Sequence, residues 1–154
     1  MGVITANRGL FRGGIISNIL EMSINVFISN NICGQIQGNI LTEYGITDNN
    51  ANIINYNRAS RINNNECRNI GYNSVSKRIS SNVTGNDISF NIITTEGIGG
   101  NTNNRIIGNI ASDIGSNGSL IGVIAGNFIS GSISDNNVDG DIVSNYTGNI
   151  INNY

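Results

Sequence analysis

Cut every eighteen residues, positions 85–154 read GNDISFNIITTEGIGGNT, NNRIIGNIASDIGSNGSL, IGVIAGNFISGSISDNNV and DGDIVSNYTGNIINNY. Column four is then Ile88, Ile106, Ile124 and Ile142, and column seven is Asn91, Asn109, Asn127 and Asn145. A fixed period is the mark of a repeat architecture, in which each unit buries its apolar face only against its neighbours. The register runs backward. Residues 67–84 place Ile70 and Asn73 in the same two columns, and 49–66 place Asn55 in column seven, with Ile53 slipped by one. Residues 33–48, CGQIQGNILTEYGITD, keep the pattern in sixteen positions.

A unit this short cannot hold a helix pair or a propeller blade. It suits one turn of short strands joined by tight bends. The expected fold is all-β: a single parallel β-solenoid (β-helix), right-handed, with about 18 residues per coil and coils about 4.8 Å apart. Units fall near 33–48, 49–66, 67–84, 85–102, 103–120, 121–138 and 139–154. Residues 1–32 are expected to form an irregular N-terminal coil or cap. Ile16, Ile19, Leu20, Ile24 and Phe27 recur at helical spacing, which offers a capping helix over 15–28 as the alternative. Their β-branched content argues against it.

The core column is read as Ile70, Ile88, Ile106, Ile124 and Ile142. Column six (Ile54, Tyr72, Phe90, Gly108, Gly126, Ser144) loses bulk as column eight (Tyr56, Ser74, Ile92, Ile110, Phe128, Tyr146) gains it. Such volume sharing is what a close-packed interior requires, so both columns are expected to point inward. A second apolar series, Ile62, Ile79, Ile98, Ile114, Ile133 and Ile151, drifts in register. Gly99-Gly100-Asn101, Ser116-Asn117-Gly118 and Asp135-Asn136-Asn137 supply bends, because Gly and Asn tolerate positive φ.

The asparagine column Asn55, Asn73, Asn91, Asn109, Asn127 and Asn145 has two readings. At a bend, stacked side-chain amides bond from coil to coil and hold parallel strands in register. On an outer face, they would form a row of amides for ordered water or polysaccharide. The columnar regularity and the glycines before Asn109 and Asn127 favour the bend.

Composition narrows the chemistry. Asparagine fills 31 of 154 positions and isoleucine 30; charged residues are 12% and there is no His, Pro or Trp. A Ser or Cys triad lacks its base without histidine, and no metal-ligand spacing or phosphate-binding Gly-rich loop appears. No catalytic, cofactor or metal site is expected. A net charge of −2 gives no nucleic-acid signal. No run approaches the ~18 apolar residues of a membrane span, and residues 1–10 do not resemble a signal peptide. Charge is uneven along the chain. Arg58, Arg61, Arg68, Lys77 and Arg78 cluster, whereas from residue 85 onward Arg105 faces Asp87, Glu96, Asp113, Asp135, Asp139 and Asp141. Cys33 and Cys67 are expected two coils apart, beyond disulfide reach.

Gly118 to Ile142, GSLIGVIAGNFISGSISDNNVDGDI, resembles the Gly-rich, Gly-x-Ile repeats of bacterial surface β-solenoids and adhesins. That resemblance implies an extracellular or surface-associated setting. The expected role is a non-enzymatic structural one: a subunit of a filament, appendage or surface layer that stacks head to tail with copies of itself. The last unit keeps the pattern to Tyr154, and Asp139, Asp141, Ile142, Tyr146, Ile150 and Ile151 form the candidate assembly edge. An adhesin-like or phage-fibre-like glycan-binding module is the alternative. Ice binding is a second, although Thr84, Thr94, Thr95, Thr102 and Thr147 do not form one column.

Overall fold

Isoleucine, valine and threonine fit a pleated, half-buried surface, and with no proline every residue keeps a backbone N–H for a ladder. The computed structural model describes residues 4–5, 13–20, 27–41 and 45–154. Among them the regular elements are all strands, and each strand pairs in parallel with its counterpart one turn away. In one sheet Arg58–Asn63 lies between Gly45–Thr47 and Ser74–Ser80. In the other, Asn50–Asn55 lies between Ile32–Gln37 and Glu66–Gly71. The chain passes from one sheet to the other and back in each turn, giving a parallel β-solenoid of about 7 turns, its coils about 18 residues apart.

Two isoleucine columns fill the space between the sheets. The first stacks Ile36, Ile54, Ile70, Ile88, Ile106, Ile124 and Ile142. The second stacks Ile28, Ile46, Ile62, Ile79, Ile98, Ile114, Ile133 and Ile150. All are buried except Ile142 and Ile150, in the last coil. Each buried isoleucine contributes about 1.5–3 kcal/mol by leaving water.

The second column does not drift. Extra residues interrupt the strand instead, as at 94–97 between Ile92–Ile93 and Ile98–Gly99, and pairing resumes in register. Its last member is Ile150, not Ile151. Columns six and eight are also corrected: from Tyr72 onward their bulky members point outward. Tyr72 is 52% exposed, Phe90 49% and Phe128 53%. Ile54 is the exception, because unit 49–66 is displaced by two residues and Ile54 pairs with Ile70.

Stacking begins earlier than the boundary read at residue 33. Ile4–Thr5 pairs with Ile28–Ser29, and Gly14–Ile16 with Ile32–Gln37. Where a capping helix was the alternative, residues 14–16 and 19–20 are strands, as β-branching favours. Residues 21–26 of that segment lie outside the described residues.

Candidate functional site

Asparagine organises both corners of every turn. Seven side-chain amide bonds link Asn18, Asn39, Asn57, Asn73, Asn91, Asn109, Asn127 and Asn145. At the opposite corner seven more link Asn31, Asn49, Asn65, Asn82, Asn101, Asn117, Asn136 and Asn153. The Nδ2–Oδ1 distances are 2.8–3.1 Å. The backbone N–H of each asparagine also donates to the next Oδ1, as Asn91 N–H does to Asn109 at 2.9 Å. The remaining Nδ2 hydrogen serves carbonyls nearby: that of Asn91 reaches Ile70 O one coil back and Ser89 O in its own coil. From Asn39 to Asn127 in the first ladder and from Asn49 to Asn136 in the second, the asparagines are therefore buried staples whose side-chain amides bond on both sides, as a buried amide requires.

The corner itself comes from the residue before each asparagine. At all sixteen positions it has positive φ, between 48° and 66°. That single left-handed residue turns the chain and leaves both neighbours of the asparagine pointing out while the amide points in. The bend reading of column seven thus describes the ladder, with one correction. Asn55 is not a member; Asn57 is, bonding to Asn39 and Asn73. The same two-residue displacement causes both the Ile54 and the Asn55 misassignments. Asn55 Oδ1 lies buried without a partner.

An eighteen-residue cut also hides the second ladder. Its signal is a shorter one: isoleucine stands three positions before every one of the sixteen asparagines, from Ile15–Asn18 to Ile150–Asn153. The repeat unit is therefore half a turn, Ile-x-x-Asn, with eight to ten residues from one isoleucine to the next between Ile28 and Ile150.

Outside, the two corners differ. Beside the first ladder, Tyr56, Tyr72 and Phe90 occupy the left-handed position, and Ile92, Ile110, Phe128 and Tyr146 follow their asparagines. The rings stack along the axis: Tyr56 on Tyr72 with centroids 5.3 Å apart, Tyr72 on Phe90 at 5.1 Å, and Phe128 on Tyr146 at 4.8 Å. The spacing is that of the coils. Phe90 ends its stack over Gly108, where a Cβ would stand 2.7 Å from the ring. Beside the second ladder, the equivalent positions hold Asp48, Asn64, Ser81, Gly100, Ser116 and Asp135.

The remaining predicted residues fall into place around this frame. Asp87, Arg105 and Val123 form an outward column that leads to Asp141 in the last coil. Arg105 donates to both oxygens of Asp87, at 2.8 and 2.7 Å, and that pairing raises the guanidinium pKa. An exposed pair adds little stability. Asp139 and Asp141 are exposed and line a shallow groove together with Asp87, Arg105 and Val123. Tyr146 is 70% exposed, and Ile150, although in a core column, is 54% exposed because it belongs to the last coil. Cys33 and Cys67 flank Ala51 in one column, two coils apart, as free thiols. Burial raises both thiol pKa values, that of Cys67 to about 12.

Comparison with models of protein families, with curated proteins and with solved structures finds no match for this chain. The fold and its ladders define the class: a parallel β-solenoid with an asparagine ladder at each of two corners.

Proposed function

We propose that this chain is a non-enzymatic structural protein, a self-assembling subunit of a surface or extracellular filament, appendage or layer. The observation that carries this reading is the polarity of the ladders. Along both ladders each amide-to-amide bond runs from an Nδ2 to the Oδ1 of the following coil, so the rod has a direction, with a donor end and an acceptor end. Asn145 and Asn153 have no further asparagine to donate to among the described residues, and Asn18 Oδ1 receives no donor among them. In the last described coil Ile142 is half-buried and Ile150 and Ile151 are exposed, and a parallel coil of this kind is covered by the strands of the coil beside it. A head-to-tail contact is heterologous and propagates as a filament.

The alternatives have weaker support. A glycan reader would use exposed aromatic faces, but here most ring faces cover one another. An ice-binding face would want a rank of threonines, whereas Thr84 is buried and Thr102 exposed. Negative-stain microscopy and light scattering test the assembly. Filaments with a coil repeat of about 4.8 Å are expected. A species that stays at 16.4 kDa at high concentration would count against the proposal.

A further inference from the structure

A folded chain has little use for three aromatic rings at Tyr56, Tyr72 and Phe90. The left-handed backbone there costs a non-glycine residue roughly 1–2 kcal/mol, and about half of each side chain stays in water. The second ladder solves the same corner with Asp, Asn, Ser and Gly. The rings continue through Ile92, Ile110, Phe128 and Tyr146 into one apolar ridge. At roughly 150–250 Å² for an aromatic side chain, the ridge exposes on the order of 700 Å². That exceeds the usual largest apolar patch of a monomer, about 300–600 Å², and approaches the ~800 Å² per partner of a standard interface.

We infer that the ridge pairs side by side with the ridge of a second copy of this chain, the two rods running antiparallel. The volume pattern fits this direction. In successive coils the left-handed position reads Tyr56, Tyr72, Phe90, then Gly108, Gly126, Ser144. A two-fold axis between the coils of Asn91 and Asn109 sets Tyr56 opposite Ser144, Tyr72 opposite Gly126 and Phe90 opposite Gly108. The residues after the asparagines pair Ser74 with Phe128, Ile92 with Ile110, and Arg58 with the ring of Tyr146. Gly126 has nothing within 4 Å of where a Cβ would stand, so a notch is open there for the Tyr72 ring. Charge agrees with this direction. The axis brings the basic stretch Arg58 to Arg78 to the levels of Asp135, Asp139 and Asp141 in the other copy. Parallel rods would set like against like. The contact is isologous and closes as a dimer; it does not rest on head-to-tail stacking.

The test uses the full chain carrying Ile150→Glu, which places a charge on the open edge and suppresses end-to-end growth. Sedimentation equilibrium should then give a concentration-dependent dimer of the 16.4 kDa chain. A monomer at every concentration overturns the inference. The decisive variant is Gly126→Tyr, which installs the residue that positions 56 and 72 hold at the same φ. It adds apolar surface yet fills the notch, so the dissociation constant should rise about 100-fold or more, the effect of a lost interface hot spot. Circular dichroism should be unchanged. Tighter association of Gly126→Tyr would mean unspecific stickiness and also overturns it. Ser74→Cys with Phe128→Cys should oxidise to a dimer linked 74 to 128; links of 74 to 74 would exclude antiparallel pairing.

Discussion

At the corner carrying Asn91, Phe90 and Ile92 stand half in water; at the corner carrying Asn101, the same two positions are Gly100 and Thr102. Inside, the two corners are alike. Each has a left-handed residue, an inward amide bonded at 3.0 Å to the next, and an isoleucine three positions before. The backbone problem is therefore solved twice per turn by one device. The side chains that the device turns outward are free to vary, and only the first corner uses them to build an apolar ridge. The shared interior holds the rod together, while the unshared exterior is where a partner can be recognised.

If the interiors are equivalent, damage to either must be equally severe. Ile106→Asp and Ile114→Asp place an unpaired charge in the two core columns, where burial of a charge is very costly. Both should give insoluble product without β signal by circular dichroism; a soluble, folded variant of either would remove its column from the core. Next in size are the staples. Asn109→Ala and Asn117→Ala each remove the acceptor of the preceding ladder residue's backbone N–H and of one of its Nδ2 hydrogens, and the amide donor to one Ile carbonyl. With buried unpaired groups at about 1–3 kcal/mol each, a loss of about 3–4 kcal/mol is expected for both in urea melts. A difference above 1 kcal/mol would mean that the corners are not equivalent.

The exteriors should respond differently. Gly108→Ala meets the Phe90 ring, whereas at Gly100 the nearest atoms to a new Cβ are 3.9 Å away. Both substitutions carry the left-handed strain of about 1 kcal/mol, and Gly108→Ala should cost about 1 kcal/mol more. In the Phe90→Ala background that excess should vanish, which a double-mutant cycle reads directly. The smallest effect is in alkali. Cys67, in the column just past the second ladder, has a folded pKa raised from 9.0 to about 12 by burial first and by Glu66 second. The unfolded chain releases this proton first, so the stability it contributes is complete below pH 9 and falls as pH rises toward 12. Cys67→Ala should show a shallower decline over that window, checked by urea melts at pH 8 to 11.

Much of this was legible in the chain, for a physical reason. A parallel stack makes every coil sit on a copy of itself, so the same site demands the same residue once per turn. The columns of Ile88, Ile106 and Ile124 and of Asn91, Asn109 and Asn127 are that demand written out. What misled was alternation. Reading columns six, seven and eight as one unbroken strand forces the asparagine out and its neighbours in. The left-handed residue inverts both, and at Tyr72 or Phe90 no residue type announces it. Unequal half-turns, from eight to ten residues, also blurred the Ile-x-x-Asn repeat under a fixed cut and carried Asn55 into the place of Asn57.

By itself, then, the sequence determined the stacked-coil architecture, the isoleucine core and one asparagine ladder, because these repeat in identity. Tertiary structure alone decided which way each side chain faces, the second ladder and the exposed ridge. Those depend on the sign of φ at sixteen corners, which short-range order along the chain does not encode and which the bonds between coils impose.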